Sequence, residues 1–173
     1  YYVPNLHMTE TGISTQMFIR GIGTGNNQGF EQSVGQYIDG VHYGRPQLLR
    51  MPFLDIERIE VLKGPQSIMF GKNSVAGALN LSSAKPTEYT EAHVGLQYQP
   101  TIGATELTAM LSGSFTDTLS ARVALRDYSE DGYIDNSYKQ RDETQRDESA
   151  MRVSLLWQPN DDMDFLLKVE RDE

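Results

Sequence analysis

The sequence predicts a β-rich chain built in two parts, and three observations carry that prediction. Up to about Lys85 the chain is rich in glycine, with short apolar runs and no sustained helical period, as small strands joined by turns would be. After Pro86 the apolar residues recur at every second position, and they do so five times. No apolar run is long enough for a membrane helix, whereas a strand crosses a bilayer in about 9–11 alternating residues and leaves no such run.

In the first part, QMFIRGIG reads as a strand that ends in a glycine-rich loop. QYIDGVHY sets Asp39-Gly40 between two β-prone triplets, a strong hairpin signal. FLDIERIEVL alternates Ile59 and Val61 against Arg58 and Glu60, the pattern of a half-buried strand. In VLKGPQSIMFGKNSVAGALNL, residues 61–81, Pro65 suits the first position of a helical turn and Gly71 its exit, so PQSIMF is predicted as a short helix. Ala76, Gly77 and Ala78 then lead into a strand at Leu79–Leu81. The Gly-Lys pair here is not a phosphate loop, because six residues separate Gly64 from Gly71 and Asn73 follows Lys72.

In the second part, Ala92, Val94, Leu96 and Tyr98 make the first alternating set and Leu107, Ala109, Leu111 and Phe115 the next. Leu119, Ala121, Val123 and Leu125 follow, then Met151, Val153, Leu155 and Trp157, then Phe165, Leu167 and Val169. Each set gives a strand with one apolar and one wet face. TDT and PNDD are expected as tight turns, and Glu130–Ser149 as a long polar loop. From periodicity and loops alone, a membrane barrel and a soluble sandwich fit equally well.

The formal charge of −9 supplies no basic stripe for a nucleic acid, and the absence of cysteine removes disulfides and thiolate metal sites. The opening YYVPNL carries no start methionine or basic leader, so the chain is expected to be a processed or truncated piece. GIGTGNNQGF lacks the third glycine of a dinucleotide fingerprint. DYSEDG at 127–132 mimics the first half of a calcium loop, but the closing position is Tyr138 rather than Glu. His7, His42 and His93 are scattered, and no nucleophile or acid–base set is present. The expectation is therefore no catalytic residue, no metal site and no cofactor.

DIERIEVLKGPQSIMFGKNSVAGALNL resembles the plug-domain signature of TonB-dependent outer-membrane receptors, and the upstream IRGIG and YIDGV match earlier plug strands in order and spacing. The resemblance covers about Gln16–Pro86, and the alternating strands after it resemble the start of the family's barrel. Lys63 stands where the family usually has Arg, and Ala76 where Gly is common.

The resemblance implies an α+β plug, a small mixed sheet with short helices, over residues 1–86, incomplete at its N-terminus. It implies about five antiparallel transmembrane strands of a larger barrel over 87–173. The function implied is active uptake of a scarce nutrient, foremost an iron–siderophore complex, across the outer membrane of a Gram-negative bacterium. The partners would be TonB, through an N-terminal box absent from this sequence, outer-membrane lipid and a small extracellular ligand. Gly25, Asn26, Asn27 and Gln28, with Tyr43, Arg45 and Gln47 in the next loop, would form apical plug loops offering amides, an aromatic ring and a cation to an anionic or chelate-like ligand. Each of these equally fits an ordinary turn position. Arg20 and Lys63 match plug cations that pair with barrel glutamates, against the plainer reading of solvated charge at a strand end. A soluble β-rich binding module is the alternative from another class.

Overall fold

The structure is a computed structural model that describes residues 3–10, 15–23, 32–44, 53–66, 73–132, 134–136, 141–143 and 145–173. The chain divides into two compact units, Tyr1–Ala84 and Lys85–Glu173.

The first unit holds two small sheets. β1 (Leu6–Glu10), β2 (Thr15–Ile19) and β3 (Ile22–Gly23) form an antiparallel sheet in that order. β4 (Val34–Ile38), β5 (Val41–Tyr43), β6 (Ile56–Lys63) and β7 (Gly77–Ser83) form a second sheet in the order β5-β4-β7-β6, with β4 and β7 parallel and the other pairs antiparallel. The Asp39-Gly40 hairpin is present, with φ values of 50° and 79° that suit a tight primed turn. Met17, Ile19, Val34, Ala76 and Leu79 make the core, with Leu6 and Val61 packed against it.

The run of tiny residues has a steric cause. Gly77 has φ +150°, and a Cβ there would lie 2.2 Å from the Leu62 carbonyl oxygen and 2.9 Å from Ile19 Cδ1. Only glycine lets β7 pass this closely to β6 and the core. Ala76 and Ala78, at 3% and 0% exposure, fill the remaining space.

The α+β description of this unit needs correcting, because all secondary structure among the described residues is β. The short helix expected over 65–70 does not begin at Pro65. The Gly64 N–H donates to the Ala76 carbonyl at 3.0 Å and the Gln66 N–H to the Ser74 carbonyl at 3.0 Å, so the chain continues across from β7 after β6 ends. Cross-strand bonds hold these amides where a helical turn was expected. Residues 67–70 lie outside the described set.

The second unit is an antiparallel meander. β8 (Glu91–Gln99), β9 (Ala104–Thr116), β10 (Leu119–Glu130), β13 (Arg146–Asn160) and β14 (Met163–Asp172) form one sheet in the order β14-β13-β10-β9-β8. A small hairpin of β11 (Ile134–Asn136) and β12 (Arg141–Glu143) sits within the β10–β13 connection. The sheet is open, with β8 and β14 at its edges. Asp117-Thr118 and Asp161-Asp162 are the tight turns expected at one end.

The long loop is shorter than 130–149. Tyr128 pairs with Glu148, Ser129 with Asp147 and Glu130 with Arg146, so the ladder continues after its apolar alternation has stopped. Polar side chains on both faces disguised these strand ends as loop. The same pairing draws Asp127–Glu130 into β10, in place of a cation-wrapping loop.

Candidate functional site

Period-two alternation gives the five-stranded sheet two chemically distinct faces, and their exposure is inverted. On the apolar face Val94, Leu96 and Phe115 are 73%, 74% and 75% exposed. Trp157 and Phe165 stack on the same face, with ring centroids 5.4 Å apart, beside the Asp161-Asp162 turn. On the polar face Arg122, Arg152 and Ser154 are only 7%, 5% and 1% exposed. A water-soluble sheet would shelter the opposite set. A strand that turns its apolar side to lipid and its polar side inward has this arrangement.

The sheltered face is satisfied by ion pairs between strands. Arg122 Nη1 donates to Glu91 Oε1 at 2.5 Å across the small Ser112, which lies between them in register. Arg126 bonds Glu106 at 2.6 Å and Glu148 at 3.1 Å, one on each flanking strand. Arg152 bonds Glu170 at 2.8 Å. Small partners, Ser112, Ser154, Ala124 and Ala150, alternate with these long side chains and give them room. The Arg126 guanidinium also lies 5.2 Å from the Tyr128 ring centroid, and the Tyr128 hydroxyl donates to Glu130 at 2.8 Å.

In the first unit, the two cations singled out from sequence reach the same N-terminal segment. The Lys63 ammonium donates to the Pro4 carbonyl at 2.7 Å, and the Arg20 backbone N–H donates to the Asn5 carbonyl at 2.8 Å. Arg20 occupies the β2–β3 turn with φ 53°, and its side chain is exposed. Of the apical-loop residues, Tyr43 ends β5, half-buried and paired with Gln36. Gly25, Asn26, Asn27, Gln28, Arg45 and Gln47 lie outside the described residues.

Sequence reasoning missed two features of this unit. The Asp39 carboxylate, in the hairpin turn, accepts from the Ser83 N–H at 2.9 Å and the Ser83 hydroxyl at 2.6 Å, which ties the hairpin to the end of β7. Gln36 is buried on the central strand β4 although its neighbours on that face are apolar. On the opposite face Tyr37 lies 5.1 Å from His42, ring to ring, and burial pushes its phenol above the ordinary value.

Both units are similar to parts of known proteins. The TonB-dependent receptor plug-domain model matches residues 1–78. Over those residues the chain is similar to a TonB-dependent receptor plug domain. Beyond the plug the similarity continues into the strands. The ferrioxamine receptor of Yersinia enterocolitica is 29% identical over 171 residues, 96% of this chain and 22% of that protein. The ferrichrome outer membrane transporter/phage receptor of Escherichia coli K12 is 27% identical over 110 residues, 64% of this chain and 14% of that protein. The crystal structure of the ferric yersiniabactin uptake receptor FyuA from Yersinia pestis superposes with a TM-score of 0.88 over 98% of this chain and 27% of that one, at 23% identity. The sequence thus spans about a fifth of the length of the first of these relatives.

Proposed function

We propose that this plug and its five following strands belong to a TonB-dependent outer-membrane receptor that imports a ferric siderophore. One observation carries the reading: directly after a plug domain stands a sheet whose apolar face is exposed and whose charged face is sheltered. Such a sheet needs lipid on one side and a polar interior on the other, and more strands to close it. The relatives named above are siderophore receptors and transporters by name, which supports a ferric chelate as cargo.

In this reading ligand bound at the apical loops of the plug, Gly25–Gln28 with Tyr43, Arg45 and Gln47, signals through it. Energy delivered by TonB from the inner membrane then displaces or remodels the plug. Arg20 and Lys63 remain proposed plug–barrel cations. The bond to Pro4 uses one of the three donors of the Lys63 ammonium, which leaves two for a lumen carboxylate.

The test is uptake of radio-iron as ferric siderophores of several classes by cells carrying the full receptor, with and without functional TonB. Import of at least one chelate that ceases without TonB is the expected result. Import that is unaffected by loss of TonB, or a 173-residue chain that is monomeric in plain buffer, would contradict the proposal.

A further inference from the structure

The two sheets of the plug meet across an apolar seam. Thr15, Met17 and Ile19 share one face of β2 and are all buried. Val34 and Gln36 share one face of β4, in register with Gly77 and Leu79 of β7. Met17 and Ile19 from one sheet join Val34, Ala76 and Leu79 from the other in a single core.

Gln36 therefore sets a primary amide on a core-bearing face. It is 3% exposed, and neither its Nε2 nor its Oε1 has a hydrogen-bond partner among the described residues. Thr15, also 3% exposed, has an unpartnered hydroxyl on the buried face of β2. These are the only buried side-chain polar atoms without partners among the described residues, and the plug contains all three. Elsewhere in this unit Asn80 donates to Glu60 at 2.9 Å, and the Asp39 carboxylate accepts from the Ser83 hydroxyl at 2.6 Å. Burial strips water from an amide, and without a protein partner nothing replaces that hydration. A methionine of similar volume would fill the same space without that penalty.

We propose that Gln36, assisted by Thr15, is a release point built into the plug: it keeps the seam between the two sheets weaker than an apolar core of the same shape, so that the sheets part more readily when the plug is moved. The proposal rests on the transport reading, in which the plug must yield to admit its ligand. The penalty falls on the closed plug, where the amide is dry, and disappears when the seam opens and water reaches it. The device therefore favours opening without altering any ligand contact.

The experiment uses the full receptor with Gln36→Met and, separately, Thr15→Val. Amide hydrogen exchange of Ile19, Val34 and Leu79 is followed by mass spectrometry in the absence of ligand and energy source. Exchange should slow by about tenfold or more in Gln36→Met and by less in Thr15→Val. Energised uptake should slow in the same order, with chelate affinity unchanged. Faster exchange in both variants, or slower exchange with uptake at the wild-type rate, would overturn the proposal. Because exchange is read without ligand, it decides whether the seam is weakened even if the wild-type receptor imports no chelate, a result that would count against the transport reading alone.

Discussion

In the plug, Met17, Ile19, Val34 and Leu79 are at most 4% exposed; in the strand sheet, Val94, Leu96 and Phe115 are at least 73% exposed while Ser154 is at 1%. Both regions are β-sheet among the described residues, so secondary structure does not separate them. What differs is which face is hidden. Apolar burial stabilises a strand only relative to the medium on its other side, and in the proposed reading the same alternation serves water outside in one region and lipid outside in the other. The polar face can be sheltered because its arginines bring their own counter-ions, Glu91, Glu106, Glu148 and Glu170.

The comparison is broken most strongly in the plug core. Leu79→Ala should destabilise the plug by about 2–5 kcal/mol in denaturant melts, since a cavity is added to the lost transfer energy. Leu96→Ala, at a site 74% exposed, should leave the plug's melt in the full receptor unchanged to within about 0.5 kcal/mol. A next, slightly smaller effect separates lipid from water directly. Leu111→Arg should destabilise the full receptor in a bilayer by about 2–4 kcal/mol, measured by reversible urea unfolding from vesicles. An unchanged unfolding midpoint there would mean that this face does not meet lipid.

The sheltered charges sharpen the contrast. Arg152→Met leaves the Glu170 carboxylate without its 2.8 Å partner, and because Glu170 is 26% exposed the loss should be about 1–2 kcal/mol rather than the full value for a buried pair. Adding Glu170→Met should recover most of it. The smallest effect is expected at Lys63. Lys63→Met removes one exposed hydrogen bond to Pro4 and should cost about 0.5–1 kcal/mol. Lys63→Glu should in addition raise single-channel leak in planar bilayers if a lumen carboxylate lies nearby, and wild-type conductance in that variant would remove Lys63 from the plug–barrel cations.

Much of this architecture was legible because period-two patterns and turn chemistry are local. The Asp39-Gly40 turn and all five long strands could be read from neighbouring residues alone. The failures were non-local. Pro65 looked like a helix start because the Gln66 bond to the Ser74 carbonyl crosses a gap in sequence that no short window sees. The ends of β10 and β13 looked like loop because apolar spacing stops at Leu125 and Met151 while backbone pairing continues to Glu130 and Arg146. The ion pairs depend on register, and Arg122 reaches Glu91 only because Ser112 lies between them. Gln36 did leave a signal: a polar residue at an apolar-face position of a strand, between Val34 and Ile38. Its meaning depends on the absence of a partner, which only the packed structure shows.

The inversion of the strand sheet is tested most directly by spin labels placed singly at positions 151–157 of the full receptor in lipid bilayers, read by collision with oxygen, which partitions into lipid. Accessibility should be high at Met151, Val153, Leu155 and Trp157 and low at Arg152, Ser154 and Leu156, with a period of two. The opposite phase, or a flat profile along β13, would contradict the assignment of this face to lipid.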